Sequence, residues 1–195
     1  MTQRRTVIER GTGETDIELM LDIDGQGASK VDTGLGFLDH MLTALAKHAR
    51  FDLELECRGD LRVDDHHTVE DCAIVVGEAL DTLLDDRRGI RRFGHAYAPL
   101  DEALARVVVD LSGRPAPVVN LGLKRDAIGD VACENLHHVF VTLANRARAA
   151  IHVDVLRGDN DHHRAEAAFK ALALALRQAV ARDGSDDIPS TKGVL

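Results

Sequence analysis

No apolar run in this sequence approaches the ~18 residues that a membrane-spanning helix needs. No apolar stretch follows Met1 in the manner of a secretory signal. Neither a membrane span nor export is therefore expected. Cysteine is scarce: Cys57, Cys72 and Cys133 show no framework spacing. Cys57 and Cys72 fall on apolar faces, so free, buried thiols in a reducing cytoplasm are expected rather than disulfides. Positive charge is in deficit, with 24 Lys and Arg against 33 Asp and Glu and a formal net charge of −9. Binding a phosphate backbone needs a basic face, so nucleic acid is not the expected partner. What is present is 195 residues, 45% hydrophobic and 29% charged, enough for one globular domain with its own core.

A signature occurs twice. Residues 64–72 read DDHHTVEDC and residues 160–168 read NDHHRAEAA. The copies align Asp65, His66, His67 and Glu70 with Asp161, His162, His163 and Glu166. Imidazole and carboxylate suit first-row divalent metals. The plainer reading is a pair of solvated helix starts with Asp65 and Asp161 as N-caps. It accounts for the aspartates but not for two His and a Glu at each start. The signatures belong to a longer duplication, which must be settled before any element is assigned. GETDIELMLDIDG (13–25) parallels DEALARVVVDLSG (101–113) and sets Glu14 against Glu102. FDLELECRGD (51–60) parallels AIHVDVLRGD (150–159). One domain over 1–195 is expected, made of two half-domains near 1–91 and 92–195.

The periodicity predicts similar elements in each half. Strands are expected near 17–23, 28–33, 51–57, 103–111, 115–123 and 150–156, and helices near 38–49, 66–84, 134–149 and 162–182. The expected class is α+β, each half a sheet with two helices on one face. The tail DGSDDIPSTKGVL (183–195) has turn chemistry and no core pattern.

Helix geometry limits how the signatures can bind metal. Positions i and i+4 share a face, whereas i and i+1 diverge by ~100°. His66 with Glu70, and His162 with Glu166, can each reach one ion. His67 and His163 point elsewhere, and packing about a pseudo-twofold axis would let each serve the other copy's ion. His40 and His138, at corresponding places on the preceding helices, supply a fourth ligand. The expected site holds two ions, each with three His and one Glu. An octahedral ion would keep two positions for substrate or water. His137 is read as a bystander, and His95 and His152 as ordinary surface or core residues.

Seven segments then resemble one family: FLDHML (37–42), DDHHTVED (64–71), RFG (92–94), LDEAL (100–104), DLSGRP (110–115), NDHHRAEAAFKA (160–171) and PSTKG (189–193). In order, from Glu14–Thr15 to the C-terminus, they look like the imidazoleglycerol-phosphate dehydratases of histidine biosynthesis. The resemblance implies a duplicated ribosomal protein S5 domain 2-like fold and a monofunctional hydro-lyase. It implies two Mn²⁺ per active site and a 24-subunit homo-oligomeric shell with sites built from neighbouring subunits. It lays the family's ligands on the LDHM, DHHxxE and Glu134-to-His138 segments, in agreement with the eight residues above. Two departures are mild: VAC (131–133) is less polar than usual, and Thr191 stands where Ser is common.

The implied reaction removes water from imidazoleglycerol phosphate to give imidazole-acetol phosphate. No acidic proton lies beside a carbonyl in that substrate, so the ring itself must push off the adjacent hydroxyl. Two ions on the ring nitrogens would favour an imidazolate and a diazafulvene-like intermediate. Glu14 is the acid/base candidate. Arg92, Arg114, Ser190 and Lys192 are candidates for the phosphate, the planar fork of Arg donating in pairs. Lys170 follows Glu166 by four residues and shares its face, and His48, eight residues after His40, is a further pocket candidate. Two other functions fit a dinuclear site: a metallohydrolase using bridging hydroxide, and a shell-forming metal-storage protein without turnover. The His-heavy ligand set disfavours the hydrolase. These ligands also suit Fe, Co, Ni and Zn, so manganese comes from the resemblance alone.

Overall fold

The computed structural model describes residues 4–195. The first half runs β1 (Arg5–Gly11), β2 (Thr15–Asp22), β3 (Ser29–Asp32), α1 (Gly36–Ala49), β4 (Asp52–Gly59) and α2 (His66–Leu84). The second half runs β5 (Phe93–Leu100), β6 (Ala103–Asp110), β7 (Ala116–Asn120), then the short strands β8 (Ala127–Ile128) and β9 (Val131–Ala132), α3 (Cys133–Arg146), β10 (Ala150–Arg157) and α4 (Asp161–Ala179). The sheets have matching orders, β1-β2-β4-β3 and β5-β6-β10-β7, and among the described residues only the hairpin β8-β9 has no counterpart. In each sheet the last pair is parallel and the others are antiparallel. The fold is the duplicated α+β unit that the periodicity predicts.

Alternation builds each sheet. Ile17, Leu19 and Leu21 are buried while Asp16 and Glu18 are exposed, and Leu19 pairs with Leu55 across β2 and β4. Helices from opposite halves then pack together, α1 on α4 and α2 on α3. One continuous apolar cluster joins both halves. This seam between helices positions the site.

Four strands lie outside the expected set. β1 is a half-exposed edge strand with weak alternation. β5 buries only Gly94, Ala96 and Ala98, while Phe93 and Tyr97 face outward. The small residues admit α4 at close range: a Cβ on Gly94 would lie 2.0 Å from the carbonyl oxygen of Ala175. β8 and β9 are too short to show a period. The helices differ modestly from expectation. α1 begins at Gly36, α3 spans Cys133–Arg146, and α4 ends at Ala179.

The expected capping by Asp65 and Asp161 needs correction. Asp65 stands at the N-cap position of α2 without a side-chain capping bond; its Oδ2 accepts the backbone N–H of Ala132 at 2.8 Å. Asn160, not Asp161, caps α4 by accepting the N–H of His162. Asp161 accepts the backbone N–H groups of Lys124 and Arg125 at 2.8 and 2.7 Å. Both aspartates therefore anchor the signature helices to the segment around β8 and β9. That segment returns the contact, because Asp130 accepts the N–H groups of Gly36 and Phe37 at the start of α1.

All three cysteines are free and buried. Among the described residues no helix is long and apolar enough to cross a membrane. The tail lies along the second half: Gly89 N–H donates to the carbonyl of Asp187 and the Arg92 guanidinium to that of Pro189.

Candidate metal centres and anion cradle

Each of the two helix pairs, α2 with α3 and α1 with α4, brings together one group of potential ligands. His66 and Glu70 stand one turn apart on α2, and His138 reaches them from α3. His138 Nε2 is 3.0 Å from Glu70 Oε1, and His66 Nε2 is 3.7 Å from Glu70 Oε2. In the second group, His162 and Glu166 of α4 meet His40 of α1. The Nε2 atoms of His40 and His162 both lie 3.1 Å from Glu166 Oε2. Within each triad the ligand atoms lie within 4.8 Å of one another. Each triad takes its His–Glu pair from one half and its second His from the other.

Neighbouring groups aim these ligands. His66 Nδ1 lies 2.9 Å from Oδ1 of buried Asn135. An Nδ1–H donated to that oxygen leaves the Nε2 lone pair facing Glu70, the arrangement that orients metal-binding imidazoles. Lys170 Nζ is 2.6 Å from Glu166 Oε1. Burial opposes ionisation of Glu166, but hydrogen bonds from Lys170, His40 and His162 outweigh it and hold the carboxyl at about 2. Burial, with Lys170 nearby, lowers the His48 pKa.

His67 and His163 do not join the triads of this chain. They leave the same helices at a different angle, and the seam is filled by His40 and His138 instead. The expected crossing of lone histidines between the two halves of one chain is corrected accordingly. His67 Nδ1 lies 3.1 Å from Asp60 Oδ2, and its Nε2 lies 3.6 Å from Glu14 Oε1. The Asp60 hydrogen bond, with Glu14 adding, raises the His67 pKa. His163 Nδ1 lies 2.7 Å from Glu102 Oε2, and its Nε2 lies 3.7 Å from Asp101 Oδ2. The backbone N–H of Asn160 and the His163 ring hold Glu102 at about 2, while Glu102 raises the His163 pKa.

A third feature gathers cations. Arg92, Arg114, Ser190 and Lys192 line an open cavity of about 550 Å³ with Phe93, Pro189, Thr191 and Leu195. Arg92 grips Asp110 through two nitrogens, at 2.7 and 3.1 Å, and ties down the tail through Pro189. Arg114 and Lys192 are exposed. Three supporting residues escaped the sequence reading: Asn135, Asp60 and Glu102. Glu102 and Asp60 left a signal, since both fall in the duplicated segments, against Glu14 and Asp159; Asn135 left none.

Fold and site together define a duplicated α+β protein that presents two pseudo-equivalent His/His/Glu triads in a helix seam. Residues 33–176 match the family model for imidazoleglycerol-phosphate dehydratase, and the chain belongs to that family of hydro-lyases. The Candida glabrata relative is 55% identical, covering 96% of this chain and 98% of its own length. The Saccharomyces cerevisiae relative is 47% identical over the full length of both. A Phytophthora nicotianae relative is 59% identical, and this chain spans 42% of its length. The solved Staphylococcus aureus imidazoleglycerol-phosphate dehydratase superposes with a TM-score of 0.83 at 38% identity, covering 91% of this chain and 99% of that one. The Pyrococcus furiosus enzyme gives 0.81 at 40% identity, covering 96% and 100%.

Proposed function

We propose that this chain dehydrates imidazoleglycerol phosphate to imidazole-acetol phosphate in histidine biosynthesis, in the cytoplasm. The observation that carries the reading is the pair of His/His/Glu triads. Their convergent Nε2 atoms and carboxylate oxygens suit divalent first-row ions, for which Mn²⁺ is the family's precedent. His40, His162 and Glu166 would hold one ion, and His66, His138 and Glu70 the other. Ions held there would supply Lewis acidity that makes loss of the substrate's ring proton easier.

The chain's own residues do the rest. The Glu14 carboxylate, half exposed beside His67, takes the proton from the substrate carbon next to the one that loses hydroxide. Lys170 keeps Glu166 ionised. Arg114, Lys192 and Ser190 receive the phosphate, and Arg92 braces the tail that carries two of them. His48, which feels the charge of Lys170, would line the pocket for the substrate's ring.

The layout within one chain favours a shared site. Glu102, which meets His163, lies at one end of β6, and Asp110, which holds Arg92, lies at the other. Eight strand residues, Ala103–Asp110, span roughly 24 Å at ~3.4 Å per step, further than a phosphorylated imidazole reaches. Cradle and lone histidines of neighbouring copies would therefore meet across subunits, in keeping with a 24-subunit shell. His67 and His163 would then complete the triads of adjacent copies.

Assay of three activities separates the alternatives. Purified protein should consume imidazoleglycerol phosphate, stop after chelation, and resume when Mn²⁺ returns. Cleavage of ester or amide analogues instead would indicate a metallohydrolase. Many ions per chain without turnover would indicate storage.

A further inference from the structure

Each lone histidine lies between two carboxylates, one at each ring nitrogen. At Nδ1 these are Asp60 for His67 and Glu102 for His163; at Nε2 they are Glu14 and Asp101. The duplication aligns Glu14 with Glu102, yet the two side chains occupy opposite sides of their rings. The reason lies in the first half: Asp60, in the connection before α2, has taken the Nδ1 position, which leaves Glu14 with no such duty.

Glu102 is fully committed. Its Oε1 accepts the backbone N–H groups of Asp159 and Asn160 at 3.0 and 2.9 Å, and its Oε2 faces His163 Nδ1 at 2.7 Å. A carboxylate can only accept, so Nδ1 must carry a hydrogen and the lone pair of a neutral ring must sit on Nε2. The same contact joins the β5–β6 turn to the loop that starts α4, where His163 is mounted. Ring orientation, tautomer and loop are thus fixed by one side chain.

We propose that Glu102 is a positioning residue for His163, presenting its Nε2 lone pair outward to a metal ion, and that the duplicated glutamates have divided their labour so that only Glu14 is free for proton transfer. This rests on the reading of His163 as a metal ligand given above. Outer partners of this kind change metal affinity by about 10–100-fold when altered.

Glu102→Gln separates the roles. The amide oxygen of Gln can still accept from Asp159 and Asn160, so the loop is kept. The amide nitrogen then faces Nδ1 and drives the hydrogen to Nε2. Neutron diffraction from metal-free crystals at pH 8.5 should find deuterium on His163 Nδ1 in the wild type and on Nε2 in E102Q. Calorimetric titration should show Mn²⁺ binding weakened about 10–100-fold in E102Q, with kcat largely recovered at saturating Mn²⁺. Glu14→Gln should show the opposite split, kcat lost and Mn²⁺ affinity kept. A bare Nδ1 in the wild type, an unchanged tautomer in E102Q, or unchanged Mn²⁺ affinity despite an inverted tautomer would each overturn the proposal. Protonation and affinity are read without turnover. Failure of the wild type to dehydrate imidazoleglycerol phosphate would therefore sink the functional reading and leave this test intact.

Discussion

At the scale of single residues, the site works through paired hydrogen-bonding duties. Glu166 illustrates the balance: burial alone would favour its neutral form, and three donors reverse that. Asn135 does for His66 what Glu102 does for His163, with an amide oxygen in place of a carboxylate. Asn135→Leu should retain the fold but weaken the ion at His66, Glu70 and His138 by about tenfold or more. Metal analysis by titration should show loss at one of two sites rather than both. Lys192 offers a point charge to the substrate's phosphate. Lys192→Ala should cost about 1.5–3 kcal/mol of binding, the scale of a hydrogen bond to a charged group. Steady-state kinetics with an analogue lacking the phosphate should show little response to the same substitution.

At the scale of elements, what the sequence discloses depends on whether side-chain size tracks burial. α2 shows its full extent, His66–Leu84, because large apolar residues recur on its inward face. β2 and β4 alternate cleanly for the same reason. β5 inverts the rule: Gly94, Ala96 and Ala98 point in, and Phe93 and Tyr97 point out. No periodicity argument finds a strand whose buried face is made of small residues. Gly94→Ala should destabilise the fold by about 1–3 kcal/mol, as overpacking does, because the backbone of α4 cannot retreat far; denaturant midpoints would measure it. The His–Glu pairs were legible because i, i+4 pairing is a property of any helix, whereas the choice between His40 and His138 for each pair was not. Asn135 and Asp60 were not, because their role exists only once the helices pack. Turns carry their own stabilisation. Asp52 accepts the backbone N–H groups of Ala28 and Gln26, which lowers its pKa. A carboxyl depressed on folding contributes stability above its unfolded value of ~3.9, and that stability is lost as pH falls through the lower folded value. The stability difference between wild type and Asp52→Ala should therefore be full at pH 7 and shrink below about pH 4, as followed by urea titration at each pH.

At the scale of the whole molecule, duplication placed a His/His/Glu triad on each of two helix pairs, and the cation-lined cavity lies at the end of β6 opposite Glu102. The tail, held by Arg92 through Pro189, belongs to the cradle and not to the core. Removing residues 189–195 should leave folding and metal content unchanged while sharply lowering kcat/KM. If ligands from several copies share one ion, metal binding and assembly are linked. Light scattering after chelation should then report smaller species that regrow with Mn²⁺. The central claim is that the seam of each chain presents two divalent-metal sites. An anomalous difference map at the manganese edge, from crystals grown with Mn²⁺, tests it most directly. The account predicts two peaks per chain, one at His40, His162 and Glu166 and one at His66, Glu70 and His138. A single peak, or peaks only away from these residues, would contradict it.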